Sequence, residues 1–66
     1  MNVTPSRYLA SLRVNRARHL LETTDLSISD IAQTCGFYDH SHFVRVFRRE
    51  RGVTPGEYRQ QHRSRR

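Results

Sequence analysis

Apolar positions recur at helical spacing in four stretches of this 66-residue chain. No stretch alternates with the period of two that a half-buried strand requires. The first stretch, "TPSRYLASLRVNRARHLLETT", has no glycine or proline after Pro5. It predicts one long helix from about Pro5 to Thr23, capped by Thr4. At about 100° per residue its apolar positions form two arcs rather than one stripe. Tyr8, Leu9 and Leu12 share one arc, and Val14, Ala17, Leu20 and Leu21 share another. A helix whose apolar side moves partway along is expected to pack on two different bodies, one per half.

The second stretch, "LSISDIAQTCGF", opens on a capping box of Ser27 and Asp30 and predicts a short helix from about Ile28 to Cys35. Ile28, Ile31, Ala32 and Cys35 make its apolar face, and Gly36 supplies the left-handed residue that ends it. The third, "DHSHFVRVFRRERG", is capped by Asp39 and ended by Gly52. Phe43, Val46 and Phe47 share one face, and His40, Ser41, Val44, Arg45 and Arg48 share the opposite one. The fourth opens at Thr54, with Pro55 at the first helical position, Glu57 completing a second box, and Tyr58 carried toward the core. The closing "QHRSRR" reads as a frayed basic tail. The fold class is therefore all-α. The same helix opening also occurs twice, as "VTPSRY" at residues 3 to 8 and "VTPGEY" at residues 53 to 58.

Length allows one small domain with a thin core. The single cysteine, Cys35, rules out an internal disulfide and suits a core position. No apolar run approaches the ~20 residues of a membrane span, no signal-peptide pattern is present, and the expectation is a cytoplasmic chain with no membrane partner. Charge changes the picture most. Twelve basic residues, all arginine, face six acidic ones, for a formal net charge of +6. Guanidinium groups bind phosphate in a fork and read guanine edges bidentately, so the first partner class is nucleic acid.

Two short helices separated by "CGFY" form a helix-turn-helix pattern, with the glycine that lets the chain turn and with Phe37 and Phe43 at the junction. The second of these helices turns a polar face outward, and a major groove is just wide enough to take an α-helix. Val44 lies in the middle of that face. An apolar β-branched residue there suits contact with a thymine methyl group, although single exposed apolar residues are common on any surface.

From Leu26 to Arg59 the sequence "LSISDIAQTCGFYDHSHFVRVFRRERGVTPGEYR" resembles the second helix-turn-helix of the AraC/XylS-type bacterial transcription regulators, and "RVNRARHLLETTDLS" resembles that family's linker helix. The family's DNA-binding domain consists of two such modules, each ending in a G-x-S/T-P-x-x-F/Y segment. "NVTPSRY" is similar to the end of a first module, with Asn2 where glycine is usual, a residue that also tolerates left-handed backbone. The resemblance thus implies an end of a first module and a linker helix over residues 1–24, a second homeodomain-like three-helix module over 25–61, and a basic disordered tail over 62–66. It further implies that the first module and an effector or dimerisation domain belong to the full-length protein, with Met1 an added start. A naturally short protein is the alternative.

By the same resemblance, the helix at about 39–51 recognises double-stranded DNA. His40, Ser41, Val44 and Arg45 are expected at base edges, with phosphate an alternative for Arg45. Ser27, Ile28, His42, Arg48 and Arg49 are expected at phosphates, and Arg13, Arg16 and Arg18 on the linker are additional phosphate candidates. The linker of some 18 residues would span ~27 Å, compatible with holding two modules on major-groove faces ~34 Å apart. A single module is expected to bind weakly. Two other readings stay open: a protein-interaction module that touches RNA polymerase, and non-specific polyanion binding. His40 and His42 point apart on a helix, so metal binding is set aside, and no residue orients Ser41 as a nucleophile. No cofactor and no enzymatic activity are expected.

Overall fold

The computed structural model describes residues 5–62 and contains four helices: α1 (Pro5–Thr23), α2 (Ile28–Thr34), α3 (His40–Arg51) and α4 (Pro55–His62). The roles expected for Met1, Asn2 and Thr4, and the tail beyond His62, lie outside the described residues. No helix among the described residues is long and apolar enough to cross a membrane.

Each boundary has a local cause. The threonines at the end of α1 turn their hydroxyls back onto carbonyls one turn earlier, Thr23 onto His19 at 2.8 Å and Thr24 onto Leu20 at 2.7 Å. The Ser27 hydroxyl accepts from the Asp30 amide at 3.0 Å, which is the serine half of the expected box. At the end of α2 the Gly36 amide bonds the Gln33 carbonyl at 3.2 Å and the Phe37 amide bonds the Ala32 carbonyl at 2.9 Å. This is the paired closure that a left-handed residue permits, and Gly36 has φ +85°. Asp39 caps α3 by accepting from the His42 amide at 2.8 Å. Gly52, also at φ +85°, ends it through a 2.8 Å bond to the Arg48 carbonyl. The box opening α4 is complete: the Thr54 amide donates to Glu57 at 3.0 Å, and the Glu57 amide donates to the Thr54 hydroxyl at 3.2 Å.

Ile31, Ala32 and Cys35 of α2 and the adjoining chain, Phe37, Phe43, Val46 and Phe47, and Tyr58 of α4 close around Val14, Ala17 and Leu21 of α1. The rings of Phe37, Phe43, Phe47 and Tyr58 follow one another at centroid distances of 4.8, 5.7 and 5.6 Å. Full burial of each such side chain contributes roughly 1.5–3 kcal/mol. The two arcs of α1 behave differently. Val14, Ala17 and Leu21 are buried, whereas Tyr8, Leu9 and Leu12 are 60%, 45% and 47% exposed. The second half of α1 packs into one core with α2, α3 and α4, the three helices of the module expected over 25–61. Gln61 and His62, expected at the module's end and in the tail, continue α4, and the His62 ring stacks on Tyr58 at 4.0 Å.

Candidate nucleic-acid interface

Helix α3 is two-sided because Phe43, Val46 and Phe47 anchor it in the core. The residues left on its outer side, His40, Ser41, Val44, Arg45, Arg48 and Arg49, line one shallow concavity of about 660 Å³. The four residues expected at base edges are thus brought together. Val44 is half-buried among them rather than standing free, and the others are exposed. Arg48, Arg49 and Arg51 fall in the last turn, where cations also offset the negative end of the helix dipole. Arg49, exposed, lies 3.6 Å from Glu50, which is half-buried, a pair near the surface of small net worth.

The residues expected at phosphates are more scattered. Arg48 and Arg49 border the concavity. His42 sits on the flank of α3, half-buried, with its ring edge 5.7 Å by centroid from Phe37 and its Nδ1 accepting from the Tyr38 amide at 3.4 Å. At the opening of α2, the Ser27 hydroxyl is occupied by the Asp30 amide, Ile28 is half-buried, and the Asp30 carboxylate stands in the first turn. A carboxylate there opposes a phosphate approaching the same amides.

The linker arginines separate into three environments. The Arg13 guanidinium lies over the turn: its Nε is 3.3 Å from the point a Cβ on Gly36 would occupy. Arg16 is exposed. Burial pushes the Cys35 thiol up, and the Arg16 charge opposes that shift. Arg18 pairs with Glu22 at 3.2 Å and also bonds Asn15.

That last pair belongs to a lock that sequence reasoning missed. The Tyr58 hydroxyl donates to Glu22, so α4 is tied to α1 through a charge-assisted hydrogen bond. This donation, helped by Arg18 and opposed by desolvation, holds the Glu22 carboxyl below its ordinary range. Burial, followed by the Glu22 contact, raises the Tyr58 hydroxyl. Next to it, Arg59 donates to three backbone carbonyls: Leu21 at 3.2 Å, Thr24 at 3.0 Å and Leu26 at 2.7 Å. The α1–α2 connection is thereby fixed by a residue of α4. Helical periodicity carries no signal for pairs so far apart in the chain.

Comparison with known proteins gives a consistent result. A family model described as a helix-turn-helix domain matches residues 1–61. The HTH-type transcriptional activator RhaS of Enterobacter sp. (strain 638) is 55% identical over 58 residues, which are 88% of this chain and 21% of that protein. RhaS of Escherichia coli O139:H28 is 52% identical over the same coverage. The chain therefore spans about a fifth of the length of these curated relatives. Among solved structures, an AraC-type transcriptional regulator from Chromobacterium violaceum superimposes with a TM-score of 0.88 at 43% identity, over 91% of this chain and 54% of that one. The DNA-binding domain of AdpA, solved in complex with a target DNA, gives 0.87 at 37% identity, over 89% and 53%. With its paired short helices, glycine turn and long preceding helix, the chain belongs to the helix-turn-helix domain family of the AraC/XylS-type bacterial transcription regulators.

Proposed function

We propose that this chain reads the sequence of double-stranded DNA for a bacterial transcription regulator, with α3 in the major groove. One observation carries the reading. The outer side of α3 gathers two hydrogen-bonding side chains, one apolar residue and three arginines into a single surface, and its inner side is fixed by buried phenylalanines. A recognition helix needs that combination of a mixed, forked and apolar face on a rigid support. AdpA, a similar fold, was solved on its target DNA, which supports carrying the reading over. His40, Ser41, Val44 and Arg45 contact base edges in this reading. Arg48 and Arg49 hold phosphates, and Ser27 and Ile28 contribute less because of Asp30. A bidentate arginine–guanine contact discriminates by roughly 1–3 kcal/mol.

The exposed Tyr8, Leu9 and Leu12 face suits a preceding helix-turn-helix module in the full-length protein, with an effector or dimerisation domain beyond it. The curated relatives leave room for both. The naming of those relatives as activators favours RNA polymerase as a second, bacterial cytoplasmic partner.

Selection of the chain against a random duplex library at near-physiological salt tests the reading. The expected result is an enriched short motif that is lost in Ser41→Ala/Val44→Ala/Arg45→Ala. Salt-sensitive binding with no enrichment would mean that α3 does not read bases on its own. Equal affinity for heparin, RNA and duplex would replace sequence reading with polyanion binding.

A further inference from the structure

A second basic surface lies beside α3. Arg7, Ala10 and Arg13 of α1, Phe37 of the turn, and His42, Val46 and Arg49 of α3 enclose a cleft of about 310 Å³. Its lining includes three arginines and a histidine and no carboxylate. Ala10, Phe37 and Val46 give it an apolar floor, where a charge pair is screened less than in open water. An anion entering the cleft would meet guanidinium donors from two helices.

We propose that this cleft seats one phosphodiester of the duplex whose bases face α3. The inference rests on α3 being the groove helix and adds the contact that would fix its tilt. Three features support it. Arg49 lines both this cleft and the outer concavity of α3, so the two surfaces share a wall. A helix about 10–12 Å across nearly fills a groove about 12 Å wide, so the flank of α3 must meet the sugar–phosphate wall. The Arg13 guanidinium lies beside the Gly36 turn, already at the cleft. Of the arginines on α1, Arg7 and Arg13 line this cleft, and Arg16 and Arg18 do not.

The test is the salt dependence of duplex affinity for the 66-residue chain, measured on the selected sequence. One lost phosphate contact makes the slope of log K against log salt shallower by about 0.9. Arg7→Gln/Arg13→Gln is expected to show that change with about tenfold weaker binding, and to keep its base preference. Arg7→Lys/Arg13→Lys is expected to restore the slope. Gln60→Glu/Gln61→Glu on α4 changes net charge by the same two units and is expected to leave the slope as it was.

An unchanged slope in a folded glutamine pair overturns the inference alone. So does an equal loss in the α4 variant, which would make the effect one of net charge. Stabilisation of the chain by inorganic phosphate that the pair abolishes, with no change in duplex slope, would assign the cleft to small anions and also overturn it. Should the pair fail to fold, Arg7→Gln decides, since it leaves the Arg13–turn contact in place. If the unaltered chain binds no duplex, or the α3 triple variant keeps the motif, the reading of α3 fails and this inference fails with it.

Discussion

Gly36 and Gly52 have the same φ of +85°, but their surroundings differ, and this makes a quantitative test of the turn. A Cβ at Gly52 would meet nothing within 4 Å; one at Gly36 would lie 3.3 Å from Arg13 Nε and 3.6 Å from its Cζ. Alanine at φ > 0 costs roughly 1–2 kcal/mol. It regains roughly 0.4–1 kcal/mol by restricting the unfolded chain. Gly52→Ala should therefore destabilise by about 0.8 kcal/mol, the middle of the roughly 0–1.6 kcal/mol difference of those two effects. Gly36→Ala carries the same penalty and must also displace Arg13. Nε and Cζ belong to the guanidinium at the end of that side chain, which must give by a few tenths of an ångström, so the added cost is at the low end of an off-rotamer torsion, about 0.5 kcal/mol. The assay is urea unfolding followed by helical circular dichroism, in single variants and in an Arg13→Ala background. Gly36→Ala should exceed Gly52→Ala, and the excess should disappear once Arg13 is gone. Equal costs, or an excess that survives Arg13→Ala, would refute the claim that Arg13 packs on the turn.

The α4 lock yields two further expectations. Glu22 has its carboxyl held below the ordinary 4.5, so its contribution is present above that value and is lost as pH falls through the depressed one. The stability difference between the chain and Tyr58→Phe should accordingly shrink in urea titrations taken from neutral pH down into that acid range, and a constant difference would count against the Glu22 contact. Arg59→Lys should destabilise by about 1–3 kcal/mol, because an ammonium cannot reach three carbonyls in the plane of a fork; thermal melts of Arg59→Lys and Arg59→Ala should nearly coincide.

The parts of the structure legible in the sequence are those decided within a few residues. Asp39, Gly36, Gly52 and the Thr54–Glu57 box mark helix ends because their partners are at most five positions away. The two arcs of α1 were legible because burial follows helical phase. Less legible was what depends on neighbours distant in the chain. Tyr58 reaches Glu22, and Arg59 reaches Leu21, across more than thirty residues. His42 carries the same charge class as the outer residues but lies 200° around from His40, at about 100° per residue, and so meets Phe37 and the turn.

Because α1 is a single helix across both arcs, it works as a phase shaft. Its first half offers Tyr8, Leu9 and Leu12, its second half is bolted into the core, and the angle between the two is set only by the number of residues between them. One residue inserted after Leu12 would advance the outer face by about 1.5 Å and rotate it by about 100° against α3. Any body docked there would then address a different side of whatever α3 holds. Point changes on α1 can alter strength, but only changes in its length can alter register. The count of residues along this helix thus fixes the angle between its exposed arc and α3, written in the sequence as firmly as any side chain.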